Sequence, residues 1–367
     1  MSVNQCTKAK ATTKGYRWFY QFYYYDKDGK CHRYHSKKYA TRKEAQDAET
    51  ERLHKLSRNE INITDMTFMD LYEEFYEYKS DKVKETTLKS YRERINSLEP
   101  LHNVKIKDFD INHYLSWRKM MAKRDCAIKT KNGYHKFFKE ILNYGTRWHD
   151  FNFTPIYNKM EKFVDPNSLP KEMEFYNLEE FKQFISFETD ILYKSAFEVL
   201  YFCGLRLGEL RGLTWDNINF EEMTLSVKKN VVTVDGKVYV TTPKSKKSVR
   251  TIPLTKTLAD DLKILKENCK NFYGFNDKWY VFGDIKPITQ ERMRVRKNLL
   301  ANESGLKRIR LHDFRHSCAS LLINNGANIM IVAKYLGHTK IDETLNTYSH
   351  LFKNKMEDIV NIVNTLY

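Results

Sequence analysis

Proline and glycine are scarce in this 367-residue chain, which has 7 prolines and 13 glycines. Hydrophobic residues make up 41% of the chain and charged residues 30%. This balance excludes collagen-like and low-complexity chains and indicates folded domains. The apolar runs are short, as at residues 199–202, whereas a membrane span needs about 18 or more apolar residues. The beginning of the chain has no apolar signal region, so we expect a cytoplasmic protein with no membrane partner.

Motifs that hold metals or nucleotides are also lacking. Cys31, His32 and His35 lie close together, but they fall on an expected strand without a second ligand pair, so no zinc is expected. The nucleotide-binding motif G-x-x-x-x-G-K-[ST] and the metalloprotease motif H-E-x-x-H are absent, and we expect no cofactor and no metal. The cysteines are scattered without a Cys-x-x-Cys pair, which favours a reducing compartment. They are Cys6, Cys31, Cys126, Cys203, Cys269 and Cys318.

Acidic residues are outnumbered. The chain has 63 Lys and Arg against 47 Asp and Glu, a net charge of +16 with a pI near 9.3. Such a balance predicts a polyanionic partner, and nucleic acid is the first candidate. The alternative is an ordinary basic protein with a solvated surface.

The first 62 residues combine positive charge with aromatic residues. Eleven Lys or Arg lie between residues 8 and 43, against only two acids. Strand formers fill residues 15–25, Asp28-Gly29 is a hairpin signal, and residues 30–36 predict another strand. Thr41 and Glu44 then form a capping box for a helix. We expect a small α+β module, a three-stranded sheet plus helix, that binds DNA; the alternative is an ordinary sheet with half-buried tyrosines.

Residues 63–155 predict an all-α domain of four helices. Thr67 precedes an apolar stripe at helical spacing, and a second helix is expected after Thr86 or Thr87. Two more helices are expected over residues 112–123 and around residues 134–142. Lys and Arg crowd their polar faces.

A linker and a third domain complete the expected organisation. Pro166 and Pro170 stand among lysines and indicate an extended linker over residues 156–172. The last domain, residues 173–367, is expected to be mainly α with a small antiparallel sheet. Its strands are predicted at residues 224–227, 231–234, 237–242 and 250–254.

The last domain also contains a set of cations and one tyrosine suited to phosphodiester chemistry. Two arginines, Arg206 and Arg315, can hold the nonbridging oxygens of a phosphodiester. Histidines, here His312 and His338, can donate hydrogen bonds or move protons. A tyrosine hydroxyl such as that of Tyr348 can attack phosphorus, and a lysine can protonate the leaving oxygen. Such a set needs no metal, because the arginines neutralise the charge of the transition state.

In its motifs the chain resembles the tyrosine recombinase (lambda-type phage integrase) family. The family's catalytic set is Arg, Lys, His-x-x-Arg, His or Trp, and Tyr, in that order. Every part is present here in order. The helical segment, residues 63–155, also resembles the family's core-site-binding domain, and the first segment resembles the arm-site-binding module of integrases from phages and integrative conjugative elements. The residues that carry the resemblance are Gly204-Leu205-Arg206-Leu207-Gly208-Glu209-Leu210, Lys244, His312-Asp313-Phe314-Arg315-His316, Leu336-Gly337-His338 and Tyr348.

The resemblance implies a role for each of these residues. Arg206 and Arg315 would clamp the scissile phosphate, and His338 would hydrogen-bond it. His312 would assist proton transfer with Tyr348, the nucleophile that forms a 3′-phosphotyrosine. Lys244 would be the general acid toward the 5′ oxygen, with Lys246 and Lys247 as rivals. Glu209 would be an acid that orients the Arg206 region.

The implied function is site-specific recombination that integrates and, with accessory factors, excises a mobile element in a bacterial host. The implied partners are double-stranded DNA at core and arm sites, a homotetramer on synapsed DNA, an excisionase and a DNA-bending host protein. The apolar stripe within residues 351–367 would pack on its own domain or dock on a neighbouring protomer. Two rival functions are a type IB topoisomerase, with the same chemistry but no partner duplex, and a DNA-binding regulator without catalysis.

Overall fold

The computed structural model describes residues 3–6, 17–25, 31–36, 38–57, 66–165, 173–241, 249–338, 341–348 and 363–364. The chain divides into two units, Met1–Leu169 and Pro170–Tyr367. Both are mainly helical with small antiparallel sheets, which confirms the expected fold class at this level. Across the described ranges, no helix combines the length and the apolar character needed to cross a bilayer.

The first unit begins with a three-stranded antiparallel sheet in the order β1-β2-β3. Its elements are β1 (Val3–Gln5), β2 (Trp18–Tyr25), β3 (Cys31–His35) and the helix α1 (Arg42–Ser57). Aromatic residues on the two longer strands pair across the sheet, with the rings of Phe22 and Tyr34 5.1 Å apart. The Thr41 hydroxyl accepts from the Glu44 backbone N–H at 3.2 Å, and the Thr41 backbone N–H donates to Glu44 Oε2 at 3.3 Å. These two bonds confirm the predicted capping box. The sequence pattern had not placed β1.

Helices make up the rest of the first unit. They are α2 (Phe68–Ser80), α3 (Glu85–Ile95), α4 (Ile111–Lys123), α5 (Ile128–His149) and the single turn α6 (Thr154–Tyr157). Phe138, Trp117 and Phe68 lie in their common core, which the predicted apolar stripes supply. The four longer helices match the predicted ones, except that α3 starts at Glu85, ahead of the expected threonines, because Lys84 takes the N-cap position.

The second unit combines helices with two small antiparallel sheets of order β4-β5-β8 and β6-β7. Its helices are α7 (Leu178–Ser186), α8 (Ile191–Phe202), α9 (Leu207–Arg211), α10 (Lys256–Lys270), α11 (Gln290–Glu303), α12 (Asp313–Asn324), α13 (Ile329–Leu336) and α14 (Ile341–Tyr348). Its strands are β4 (Ile218–Asn219), β5 (Thr224–Val227), β6 (Asn230–Val234), β7 (Lys237–Thr241) and β8 (Arg250–Pro253). The four predicted strands are confirmed, and β4 is an addition.

Aromatic packing holds α8 and α12 together in the core of this unit. Phe314, in the first turn of α12, lies 5.5 Å from the ring of Phe197 on α8 and 5.5 Å from that of Phe184 on α7. All three rings are fully buried. Because Phe314 precedes Arg315 directly, the same packing fixes the backbone that carries this arginine.

The turn between α8 and α9 requires glycine. Gly204 has φ +61°, a left-handed conformation that costs other residues about 1–2 kcal/mol. A Cβ atom there would lie 2.6 Å from Leu336 Cδ2 and 3.1 Å from Cys318 Sγ. The turn can therefore pack directly against α12 and α13, and it delivers Arg206 to the start of α9.

We predict that Gly204→Ala lowers the free energy of unfolding more than Gly236→Ala does. Gly236 has φ +76°, but an added Cβ would meet nothing within 4 Å, so its substitution adds only backbone strain of about 1–2 kcal/mol. At Gly204 the clash with Leu336 adds to that strain. Urea unfolding of both full-length variants measures the difference, and equal losses would contradict the close packing of this turn.

Candidate active site

Arg206 lies at the N-cap position of the short helix α9. Its Nη1 donates to Glu209 Oε1 at 2.9 Å, and its backbone N–H donates to Glu209 Oε2 at 3.0 Å. About a third of the Arg206 side chain remains exposed. Glu209 thus fixes the position of this arginine, and the exposed part of its side chain can still bind a ligand.

The carboxylate of Glu209 also binds a second arginine. Arg250 Nη2 donates to Glu209 Oε2 at 3.0 Å, and Arg250 Nε donates to the Tyr335 carbonyl at 2.7 Å. Burial alone would raise the pKa of Glu209, but the charge and hydrogen bond of Arg250, followed by those of Arg206, bring this pKa below its ordinary value. Glu209 is therefore an anion that joins two cations, and Arg250 links them to the segment that precedes His338.

Sequence reasoning missed the role of Arg250. The residue was predicted only as part of a strand, and it is one of 63 basic residues. Its side chain is 6% exposed, and its partners lie 41 and 85 residues away along the chain. The one available signal was its place in β8, shortly after Lys244.

Arg315 is the most deeply buried cation of the site, with 2% of the residue exposed. Its Nη1 donates to the Gly204 carbonyl at 2.8 Å. Its Nη2 is buried and has no hydrogen-bond partner in the part of the chain that the structure describes. Burial, followed by the charge of Arg206, lowers the pKa of Arg315 to about 9, so the guanidinium remains charged near pH 7. A buried donor without a partner costs about 1–3 kcal/mol, which an anion bound there would recover.

The two histidines of the predicted set remain neutral near pH 7. His338 follows α13, and its Nδ1 lies 2.7 Å from Thr344 Oγ1 on α14. Burial, followed by the charges of Arg315 and Arg206, lowers the pKa of His338 to about 4. His312 is the N-cap residue of α12 and is exposed as a whole. Desolvation of its ring, followed by the charges of the same two arginines, nevertheless lowers its pKa.

Tyr348 is the last residue of α14 and is 1% exposed. Its hydroxyl lies 2.6 Å from Nδ1 of His316 on α12. Burial raises the pKa of Tyr348, and the charge of Arg315 partly opposes that rise, so the phenol is neutral. In the sequence, His316 is only the residue after Arg315, and the family resemblance implies a contact of His312, not His316, with the nucleophile.

The described part of the site thus brings together five of the six predicted residues. Electrostatic effects on one another connect Arg206, His312, Arg315, His338 and Tyr348. Glu209 orients Arg206, as expected. Lys244 and its rivals, Lys246 and Lys247, lie outside the described residues, as does nearly all of residues 351–367.

Three family models match consecutive parts of the chain. The phage integrase family matches residues 171–355, just over half of the chain. An Arm DNA-binding domain matches residues 9–56, and the N-terminal SAM-like domain of phage integrases matches residues 67–122.

Curated relatives and solved structures agree with these matches. ICEBs1 integrase of Bacillus subtilis (strain 168) is 33% identical over 53% of this chain, which spans about half (55%) of that relative. A XerC-like tyrosine recombinase of Caldanaerobacter subterraneus subsp. tengcongensis is 28% identical, over 89% of this chain and 90% of its own. The Tn1549 integrase in complex with circular intermediate DNA has a TM-score of 0.68 at 21% identity, over 81% of this chain and 99% of its own. A lambda integrase dimer bound to a core site has a TM-score of 0.56 at 13% identity, over 92% and 93%.

Fold, site order and relatives together define the class of protein, the tyrosine recombinases. Within that class, the chain belongs to the phage integrase family, whose model covers most of its second unit.

We predict that Glu209→Gln removes an acid-sensitive part of the stability. The pKa of Glu209 is lower in the folded chain than its ordinary value of 4.5. The stability it contributes is therefore present above pH 4.5 and is lost as the pH falls through the lower folded pKa. Breaking this buried network costs about 3–5 kcal/mol at neutral pH, and less toward pH 3.

Unfolding by urea between pH 3 and pH 7 measures this effect. The exposed Glu222→Gln is the matched control and should follow the wild type throughout. The difference between wild type and Glu209→Gln isolates this carboxylate, because other acid-sensitive groups such as His338 are common to both. A difference that does not shrink in acid would contradict the assigned role of Glu209.

Proposed function

We propose that this chain cleaves and rejoins DNA at specific sites through a 3′-phosphotyrosine intermediate formed by Tyr348. The observation that carries this proposal is the buried, charged Arg315, whose Nη2 has no partner among the described residues and whose charge reaches Tyr348. A phosphodiester oxygen is the kind of anion that a guanidinium binds best. The pocket can therefore hold a phosphate close to a tyrosine that can attack it.

Each side chain of the set has a part in this reaction. Arg206 and Arg315 bind the two nonbridging oxygens and stabilise the charge that develops on them. His338, held by Thr344, donates from its other ring nitrogen to the phosphate. Lys244 protonates the leaving 5′ oxygen. His312 stands beside the arginines and assists the movement of protons in the pocket.

The energetics need no nucleotide hydrolysis. Cleavage converts a phosphodiester into a tyrosyl ester, and a 5′ hydroxyl of the partner duplex converts it back, so the overall reaction is close to isoenergetic. Each strand is therefore recombined by two successive transesterifications, cleavage and rejoining. This agrees with the absence of a nucleotide-binding motif in the sequence.

The other parts of the chain supply DNA contacts. We assign residues 1–62 to an arm-site module, 63–155 to a core-site module, 156–172 to a linker and 173–367 to the catalytic domain. The matches to an Arm DNA-binding domain and to a SAM-like domain support the first two assignments. Four protomers would act on two duplexes in the bacterial cytoplasm, with an excisionase and a DNA-bending host protein to set direction. The mobile-element names of several relatives support integration and excision as the outcome.

We predict that the wild-type protein forms a covalent adduct with DNA in EDTA and without ATP, and that Tyr348→Phe does not. Nicked duplexes cut from the DNA that flanks its own gene are the probe, because the nick lets the 5′ fragment leave and traps the intermediate. The SDS-stable adduct is measured on a denaturing gel.

A Tyr335→Phe variant is the control for loss of a buried phenol near the site, and it should retain the adduct. Recombinant product from a plasmid with two sites separates a recombinase from a type IB topoisomerase, which would only relax it. DNA binding without any adduct on any duplex would contradict the proposal and favour a regulator without catalysis.

We also predict that DNA binding weakens steeply with salt. A protein that neutralises six to ten phosphates loses about 10³–10⁵ in affinity between 50 mM and 200 mM salt. A chain with a net charge of +16 and basic modules is expected to bind in this way. Fluorescence anisotropy with a labelled flanking duplex measures the slope, and an unrelated duplex of equal length reports the non-specific part. An affinity that barely changes between 50 mM and 200 mM salt would contradict DNA binding through phosphate contacts.

A further inference from the structure

The hydroxyl of Tyr348 is paired with a histidine outside the predicted catalytic set. His316 Nδ1 lies 2.6 Å from Tyr348 Oη, within hydrogen-bond distance. The described residues include no hydrogen bond between Tyr348 and His312, the histidine to which proton transfer had been assigned. We propose that His316 is the base that removes the Tyr348 proton during cleavage and returns it during rejoining. This inference rests on the proposed role of Tyr348 as nucleophile.

The geometry meets the first requirement for a general base, which is to touch the proton that it removes. His316 and Tyr348 are 32 residues apart but lie on packed helices, α12 and α14, with their ring centroids 5.9 Å apart. The aromatic core that holds Phe314 also fixes the start of α12. The buried Tyr348 hydroxyl is thus presented to His316 before any DNA is bound.

The ring of His316 is able to accept a proton. Burial, followed by the nearby histidine His312, lowers the pKa of His316 to about 4, so the ring is neutral near pH 7. In the tautomer with hydrogen on Nε2, Nδ1 has a free lone pair directed at the phenol. The phenol is neutral as well and must lose its proton to attack phosphorus.

The surroundings explain how a weak base becomes sufficient when substrate is present. Arg310, Arg315 and His312 disfavour a charged His316, whereas Asp313 favours it. His338, on the loop after α13, also interacts with it electrostatically. A phosphodiester bound between the arginines adds negative charge, which offsets these cations and makes a protonated His316 less costly. The base would therefore gain strength when the scissile phosphate is in place.

The proton balance closes in both directions. In cleavage, Tyr348 Oη forms a bond to phosphorus, its proton moves to His316 Nδ1, and the bond from phosphorus to the 5′ oxygen breaks as the general acid protonates that oxygen. In rejoining, the 5′ hydroxyl returns its proton to the general acid as its oxygen bonds to phosphorus. The bond from phosphorus to Tyr348 Oη breaks, and that oxygen takes its proton back from His316. The ring of His312 meets that of His316 edge-on, with centroids 5.0 Å apart, and thus supports its orientation.

The test is the single-turnover rate of adduct formation at saturating protein, measured from pH 5 to pH 9 with nicked flanking duplexes. His316→Asn keeps an acceptor near Nδ1 but cannot take a proton, so we expect the rate near pH 7 to fall by about 10²–10⁴-fold. The wild-type rate should be nearly flat at high pH. The variant's rate should instead rise by up to about tenfold per pH unit, because hydroxide must then deprotonate Tyr348.

Two further readouts separate proton transfer from a merely structural role. On intact duplexes, where the 5′ hydroxyl stays in place, rejoining should slow by the same factor as cleavage, leaving the equilibrium fraction of adduct unchanged. If His316→Asn is unstable, His316→Ala assayed with added imidazole takes its place, and imidazole should restore the rate. Glu222→Gln, on an exposed residue of the same unit as His316, is the control and should keep the wild-type cleavage rate.

Specific outcomes would overturn the inference. A His316 variant with a wild-type rate, or with a slower rate whose pH profile stays parallel to that of the wild type, would show that His316 does not carry the proton. Failure of imidazole to restore a well-folded His316→Ala would do the same. If the wild type itself forms no adduct, the proposed function fails and the inference fails with it. If the wild type forms the adduct and the His316 variants give the results above, only the inference fails.

Discussion

The site depends on one buried carboxylate that holds two arginines in place. Glu209 accepts from Arg206 at 2.9 Å and from Arg250 at 3.0 Å, and it also accepts from the Arg206 backbone. Without it, Arg206 and Arg250, which both act electrostatically on the buried Arg315, would lose the anion that joins them. Because Arg250 also binds the Tyr335 carbonyl, the same carboxylate connects the start of α9 to the segment that leads into His338. The protein's own contacts thereby fix the arrangement of these two arginines.

This arrangement places the positive charge of the pocket on arginines and leaves its histidines neutral. Burial lowers the pKa of both His338 and His316 to about 4, followed by the charges of Arg315 and Arg206 for His338 and by the neighbouring His312 for His316. Neutral rings can accept as well as donate protons, whereas guanidinium groups only donate hydrogen bonds. The pocket therefore separates two tasks. In the proposed reaction, the arginines bind and stabilise negative charge, and the histidines transfer protons around Tyr348.

Local patterns in the sequence predicted much of this structure, and distant contacts could not be predicted in the same way. The helix α2 follows from its apolar spacing and from the cap at Thr67, which are local effects. Arg206 was predictable because a glycine and a new helix surround it. The pairing of His316 with Tyr348 was not, because it depends on how α14 packs against α12. Arg250 is one of 63 Lys and Arg residues, and its bond to Glu209 is visible only in the folded structure. Lys244 remains a prediction.

The central claim is that phosphoryl transfer in this pocket takes place on Tyr348 and on no other of the 24 tyrosines. Peptide mapping by mass spectrometry tests it most directly. Adduct formed in EDTA would be digested with nuclease and protease, and the peptide that retains a phosphonucleotide would be sequenced by fragmentation. The account predicts one modified peptide, with the nucleotide on Tyr348 through its 3′ phosphate. Modification of a different tyrosine, or of a serine or histidine, would contradict it.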